Sequence, residues 1–154
     1  MQSTVATKTG TSLAETFSSR VLNIVLWVLQ VVLAIQFLWH GWLFVAPPLE
    51  IIEMMNALIA PSFRMFIGVA ELLAAVGLIL PSITRILPFL TVLAAVGLMI
   101  VTGSASVFHL FRGETSSAIF AAVLFVIITV VAVLRWKVRP IVPRAQGSRG
   151  AINN

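Results

Sequence analysis

The sequence predicts an all-α membrane protein, a transmembrane four-helix bundle, and two observations carry that prediction. Its 154 residues are 60% hydrophobic and only 10% charged, whereas a soluble domain is about 45 to 50% apolar and about 25% charged. The apolar residues also fall into four segments of about 20 residues, the length that crosses a bilayer as a helix. These features exclude a soluble monomer. They also argue against taking the net charge of +5 as evidence of a nucleic-acid-binding groove.

Cysteine usage and hydropathy patterning exclude further classes of protein. The sequence contains no Cys, which rules out disulfide scaffolds, thiolate metal sites and thiol redox chemistry within this chain. The two His residues belong to no metal-binding motif, so we predict no metal site. No apolar run shows the period-two alternation of a membrane β-barrel.

The chain begins with a polar stretch and continues with the first apolar segment. Residues 1–19 are rich in Ser and Thr and lack apolar periodicity, so they predict a disordered tail with at most a short surface helix at residues 12–18. The apolar segment at residues 21–46 is longer than the core of a signal peptide, which has about 7 to 15 residues. We therefore expect a membrane helix there and no secretory signal peptide.

Residues 48–60 have a different pattern, because their polar residues share one side of a helix. Leu49, Ile52 and Met55 fall on one helical face, whereas Glu50 and Glu53 lie on the other. A proline at the start and acids in the first turn both suit a helix N-terminus. We predict a short amphipathic helix at the membrane interface between the first two spans, with an irregular loop as the alternative.

Three more apolar segments complete the predicted bundle, at residues 63–80, 87–111 and 117–134. Turn-forming residues separate them. Because the last two connections are short, the second, third and fourth spans should pack as antiparallel neighbours.

The distribution of Lys and Arg predicts the orientation of the bundle. Five basic residues follow the last apolar segment: Arg135, Lys137, Arg139, Arg144 and Arg149. The connection between the first two spans carries Glu50 and Glu53 instead. The positive-inside rule therefore places both termini in the cytoplasm. We divide the chain into a cytoplasmic tail (1–19), a four-helix transmembrane domain (20–138) and a basic cytoplasmic tail (139–154). We interpret the basic residues from Arg135 to Arg139 as a topology anchor.

Ionisable groups inside a span are candidates for function, because each costs about 2.5 to 3.5 kcal/mol at the helix centre on insertion scales. Glu71 is the clearest case. It shares a helical face with Arg64, seven residues earlier. Two turns separate the pair, about 10 Å along the helix, which is too far for a direct contact.

Three further polar residues lie in the same half of the predicted spans. Gln36 has a depth similar to that of Glu71, His40 lies one turn nearer the surface, and His109 ends the third span. Three helices would then contribute to one polar pocket, whereas the opposite half of the bundle has almost nothing comparable. The alternative is structural: an interhelical hydrogen bond between Glu71 and Gln36, with the two histidines as interfacial residues.

Two runs of residues resemble a known family. The run from Arg64 to Pro81, with Gly68 and Glu71 inside it, is similar to the signature of the DoxX-like membrane proteins, and so is the run Val107 to Glu114. The resemblance implies four transmembrane helices in the bacterial cytoplasmic, or inner, membrane. It also implies a link to membrane redox complexes, since the founding member is a small subunit of an archaeal thiosulfate:quinone oxidoreductase.

The resemblance favours one functional hypothesis. The chain would be an accessory subunit of a quinone-linked redox complex, not catalytic alone, that receives a quinone headgroup or relays its proton. Glu71 would accept the proton, and Gln36 would hold the Glu71 side chain in place. His40 and His109 would be hydrogen-bond partners, and Arg64 would tune the charge. A bis-histidine haem between His40 and His109 lacks a supporting motif, so we do not expect one.

Two rival hypotheses assign no redox role. In the first, the chain would be a scaffold or assembly factor whose small-residue faces bind a larger membrane protein or another copy of the chain. Substitutions at Gly68, Gly97 or Gly103 would then prevent recovery of the complex. A small transporter is the weaker rival, because no span is broken. Every hypothesis places the chain in a lipid bilayer and requires no nucleic acid.

Overall fold

A computed structural model describes the backbone of residues 3–142 and 144, and the side chains of residues 18–142 and 144. Five α-helices and one π-helical turn follow each other along the chain: α1 (Ser3–Val45), α2 (Leu49–Leu58), α3 (Pro61–Thr84), α4 (Phe89–Phe111), α5 (Thr115–Val133) and the π-helical turn (Leu134–Val138). The described residues contain no β-strand. The predicted all-α class is therefore confirmed.

In the described part of the chain, four helical stretches are long and apolar enough to cross a membrane: Ser18–Val45, Pro61–Thr84, Phe89–Phe111 and Thr115–Val138. They match the four predicted spans, and the last extends through the π-helical turn. The transmembrane four-helix bundle is thus confirmed. The side of the membrane on which the termini lie stays a prediction.

The predicted boundary between the N-terminal tail and the first span has no counterpart in the helix pattern. α1 begins at Ser3 and continues without a break into the first span, so no helix end marks residue 19, where we placed the end of a disordered tail. Proline is the strongest helix breaker, and none precedes Pro47. At the other end, the backbone N–H of Arg144 donates to the carbonyl of Arg85 at 3.3 Å, which ties the start of the basic tail to the α3–α4 connection.

The predicted short helix between the first two spans is present as α2. It starts directly after Pro48, whose φ of −57° suits the residue before a helix, and it ends before Ile59, which is extended. None of its residues is buried. A location at the membrane interface stays a prediction, and this exposure is compatible with it.

The four spans pack in chain order around one apolar core. α1 packs on α3, α3 on α4 and α4 on α5, while α1 and α5 touch less extensively. The predicted packing of the last three spans as neighbours is therefore confirmed. Fully buried side chains come from every span, and they include Leu26, Leu33, Leu78, Leu98 and Ile128. Large apolar side chains such as Leu73 and Ile100 face outward, as expected where lipid is the solvent.

Two glycines set the distance between α1 and α3. A Cβ atom on Gly41 would lie 2.8 Å from the carbonyl oxygen of Gly68, and a Cβ on Gly68 would lie 2.8 Å from the carbonyl oxygen of Gly41. Only glycine permits so close an approach of two backbones. The crossing lies beside Glu71, whose Cβ is 3.2 Å from the position of that added Gly41 Cβ.

The bundle has two ends that differ in their polar residues. We call the end that carries α2 and the α4–α5 connection the α2 end. The opposite end, which carries the α3–α4 connection and the π-helical turn, is the Arg135 end.

Candidate functional site

The polar site at the α2 end is built around a carboxylate and a histidine from adjacent helices. Nδ1 of His40 in α1 lies 2.6 Å from Oε2 of Glu71 in α3. The Glu71 side chain is 2% exposed, whereas that of His40 is 41% exposed. The pair thus joins a buried acid to a histidine that reaches the surface.

The register of α3 that turns Glu71 inward agrees with the sequence prediction. The buried residues of this helix follow one face, as the spacing predicts: Arg64, Gly68, Glu71, Ala75 and Leu78, with Pro81 and Ser82 after them. Burying a carboxylate is costly unless it is hydrogen-bonded, and the contact with His40 supplies such a bond.

A cleft of about 460 Å³ opens beside the pair. Seven polar side chains from α1, α3, α4 and α5 line it: Gln36, His40, Glu71, Thr102, His109, Ser116 and Ser117. Phe37, Phe120, Ala121 and Leu124 complete the lining. Its volume lies within the range of small-molecule sites, about 300 to 1,000 Å³. Four of the five predicted site residues, all except Arg64, therefore line one cleft.

The hydrogen-bond partners within the site differ in part from the predicted ones. Gln36 lines the cleft, but among the described residues its side chain forms no hydrogen bond, and Glu71 pairs with His40 instead. Gly41 explains the difference, because its missing side chain lets α1 approach α3 closely beside Glu71. The neighbouring His40 then reaches the carboxylate, one turn beyond Gln36.

His109 pairs with a carboxylate of its own in the α4–α5 connection. Its Nδ1 lies 2.6 Å from Oε2 of Glu114, and Nε of Arg112 donates to the other carboxylate oxygen at 2.7 Å. Gly113, at a φ of +73°, provides the left-handed turn that returns Glu114 toward His109. The His109 hydrogen bond, and then that of Arg112, lower the pKa of Glu114 from its ordinary value of 4.5.

Arg64 is buried at the α2 end without contacting Glu71, as its spacing of two turns predicts. Its Nη1 donates to the backbone carbonyl of Phe44, one of the last carbonyls of α1, which lack partners within the helix. The ring of Phe44 packs on His40 with 4.5 Å between ring centroids. Arg64 therefore supports His40 through Phe44, while its own Nε has no partner among the described residues.

A second polar network lies at the Arg135 end, where the sequence predicted almost nothing comparable. Arg135 is only 4% exposed; its Nε donates to Oε1 of Gln30 at 2.7 Å and its Nη1 to Oδ1 of Asn23 at 2.9 Å. Gln30 in turn donates to Ser82 at 3.2 Å, and Ser82 contacts the hydroxyl of Thr91 at 3.0 Å. Arg135 therefore has a structural role that the sequence did not predict, and its interpretation as a topology anchor stays a prediction.

A sequence signal for this network exists but is weak. Asn23 and Gln30 are seven residues apart and thus share a face of α1, although either amide alone is unremarkable in a span. The π-helical turn places Arg135 inside the bundle, and hydropathy does not reveal such a turn. The predicted apolar segment therefore ends at residue 134, whereas the last span continues to Val138.

The geometry of the His40–Glu71 pair defines what it can do chemically. When Glu71 is ionised, Nδ1–H of His40 donates to it, which fixes the tautomer and leaves the lone pair on Nε2. Within the described part of the chain, Nε2 has no partner. A histidine held this way can accept a proton from a ligand in the cleft, with the carboxylate stabilising the charge that forms.

Comparison with known proteins identifies the family. The profile of the DoxX-like family matches residues 28–132, more than half of the chain, including α3, α4 and most of the first and last spans. No curated protein and no solved structure matches the sequence. The family match and the four apolar helices together lead to one conclusion: this chain is a multi-pass integral membrane protein that belongs to the DoxX-like family.

Proposed function

We propose that this protein is an accessory subunit of a quinone-linked membrane redox complex and that the cleft at the α2 end receives the quinone headgroup. One observation supports the proposal above all: a partly exposed His40 is hydrogen-bonded to a buried Glu71 at the wall of a cleft that also carries aromatic rings. Pockets of this kind combine apolar walls with a few convergent polar groups. The bacterial cytoplasmic membrane is the location we propose.

The lining residues fit the chemistry of a quinone ring. Phe37 and Phe120 would contact its faces, while Gln36 and the hydroxyls of Ser116 and Ser117 would donate hydrogen bonds to its carbonyl oxygens. Oxidation of a quinol to the quinone releases two electrons and two protons. We assign the electrons to a partner subunit and the handling of protons to this chain.

The proton path we propose begins at His40 and Glu71 and leads to the chain's surface. His40 and His109 line the same cleft, and His109 joins it to Glu114 in the α4–α5 connection. The path consists of two histidines and two carboxylates, the residue types of proton relays within membranes. Arg64 has a positioning role through Phe44.

The proposal is tested by binding of a short-chain ubiquinone analogue to the purified full-length protein in neutral detergent. We expect Glu71→Gln to weaken binding by about tenfold or more, because the substitution removes the charged partner of the His40 hydrogen bond. A hydrogen bond to a charged group is worth about 1.5 to 3 kcal/mol. Glu53→Gln is the matched control, since Glu53 is an exposed carboxylate of α2 outside the cleft. Unchanged binding by a folded Glu71→Gln variant would refute the proposal.

A scaffold or assembly role without redox chemistry remains the second candidate. Two observations favour it: α2 buries none of its residues, and a Cβ on Gly97 would meet no atom within 4 Å. Gly97 is also the sharpest position for the test, because Gly68 packs against α1 and Gly103 faces Phe125. Under this role, Gly97→Leu should abolish recovery of the partner, or of a second copy, while Glu71→Gln should leave recovery unchanged.

A further inference from the structure

A second cleft, of about 400 Å³, lies at the Arg135 end between α1, the end of α3 and the start of the C-terminal tail. Four arginines line it: Arg20, Arg85, Arg135 and Arg139. Its described lining contains no Asp or Glu. Among the described residues Arg20, Arg85 and Arg139 form no ion pair, so their positive charges have no acidic partner there.

Arg135 gives this cleft a feature that surface arginines lack. Its side chain is buried, is held by Gln30 and Asn23, and lies with its guanidinium carbon 5.5 Å from the ring centroid of Trp27. The remaining nitrogen, Nη2, is buried without a hydrogen-bond partner in the described part of the chain. An unpaired donor on a buried cation is costly, and an anion in the cleft would satisfy it.

The level of the arginines along the bundle identifies the kind of anion. Arg20 is the third residue of the first span, Arg85 directly follows the second, and Arg135 lies in the last turn of the fourth. All three therefore lie at one end of the candidate spans, and in a bilayer the ends of spans meet the phosphates of the lipid headgroups. Guanidinium groups bind phosphate oxygens in a bidentate manner.

An apolar groove adjoins the arginine cleft. Its volume is about 440 Å³, and it follows α4 along Pro88, Phe89, Val92, Leu93 and Val96. Arg135, Pro140 and Ile141 line both the groove and the arginine cleft. A ligand that carries a phosphate and an acyl chain matches both surfaces, whereas a free phosphate matches only one.

We propose that the Arg135 end binds an anionic phospholipid, with its headgroup phosphate in the arginine cleft and an acyl chain in the adjoining groove. The site lies at the end opposite to the His40–Glu71 pair and is independent of any quinone. It involves no chemical step. Bound lipid would hold together α1, the α3–α4 connection and the C-terminal tail.

The experiment measures binding to the full-length protein in neutral detergent. The probes are dioctanoyl phosphatidylglycerol, dioctanoyl phosphatidylcholine and inorganic phosphate. We expect phosphatidylglycerol to bind at least tenfold more tightly than the other two. The double substitution Arg20→Gln and Arg85→Gln should weaken its binding about tenfold to thirtyfold, because each basic residue near the membrane surface contributes about 1 kcal/mol.

Two further variants make the test specific. Lys137→Gln removes an exposed cation from the same π-helical turn but lines neither the cleft nor the groove, so it should leave binding unchanged. Phe89→Ser in the groove should weaken binding of phosphatidylglycerol but not of phosphate. Equal affinity for phosphatidylglycerol and inorganic phosphate would overturn the assignment to a lipid, and unchanged binding by the folded double variant would overturn the cleft itself.

Discussion

At the scale of single residues, the two histidines of this protein have similar arrangements and different surroundings. Each presents Nδ1 to a carboxylate oxygen at 2.6 Å, His40 to Glu71 inside the bundle and His109 to Glu114 in the α4–α5 connection. Glu71 is buried, whereas Glu114 is about one third exposed. The same contact therefore occurs once at a buried carboxylate that lines the cleft and once at a carboxylate that solvent reaches.

The exposed pair makes the stability of the protein depend on acid pH. Because His109 and Arg112 lower the pKa of Glu114, the ionised carboxylate stabilises the folded state at pH values above its ordinary 4.5. That stabilisation is lost as the pH falls below 4.5 and through the lowered native pKa. The difference in melting temperature between the wild type and Glu114→Gln should therefore be positive at neutral pH and should vanish in acid. A difference that grows as the pH falls would contradict this assignment.

At the scale of elements, the sequence predicted those features that depend on periodicity within one helix. The buried face of α3, with Arg64 and Glu71 on it, follows from 3.6-residue spacing. The prediction of α2 follows from the proline before it, the acids near its start and the separation of its apolar and polar residues onto opposite faces. The Glu71–His40 pair does not follow from such spacing, because it depends on how closely α1 approaches α3 at Gly41 and Gly68.

The contact between these two helices gives a prediction with a matched control. Gly41→Ala places a methyl group 2.8 Å from a backbone oxygen of α3, so it should separate the helices and destabilise the protein by about 1 to 3 kcal/mol. Gly97→Ala meets nothing within 4 Å and should stabilise the protein by about 0.5 to 1 kcal/mol, as Gly is unfavourable inside a helix. Thermal unfolding in detergent measures both effects. Equal effects of the two substitutions would show that the Gly41–Gly68 contact is not tight.

The Arg135 network shows what the sequence did not reveal at this scale. A chain position just beyond an apolar run normally lies at the surface, and a run of arginines normally sets orientation. Here the helix continues as a π-helical turn, which carries Arg135 back into the bundle toward Gln30 and Asn23. That outcome depends on contacts across 105 and 112 residues of sequence, and a local pattern does not contain them.

At the scale of the whole molecule, charge is divided between the two ends of the bundle. Glu50 and Glu53 lie on α2, and the arginine cleft lies at the opposite end. Membrane potential and anionic lipids both favour basic residues on the cytoplasmic side. The predicted orientation and the proposed lipid site therefore both require that the Arg135 end lies on the cytoplasmic side of the membrane.

The absence of Cys from the sequence makes this orientation measurable with single introduced thiols. Asn56→Cys in α2 should react with a membrane-impermeant maleimide added to intact spheroplasts. Val142→Cys at the Arg135 end should react only after the membrane is permeabilised. Labelling in the reverse order would overturn the predicted placement of both termini in the cytoplasm.

Photo-crosslinking shows directly whether the cleft at the α2 end holds a quinone headgroup. An azidoquinone is added to membranes that contain the full-length protein, and mass spectrometry locates the modified peptides after illumination. We predict that labels concentrate on the peptides that contain residues 36–40 and 116–121, which carry seven of the residues that line the cleft. Excess unlabelled quinone should prevent this labelling. Labels confined to the Arg135 end, or spread evenly over the lipid-facing side chains, would contradict the account.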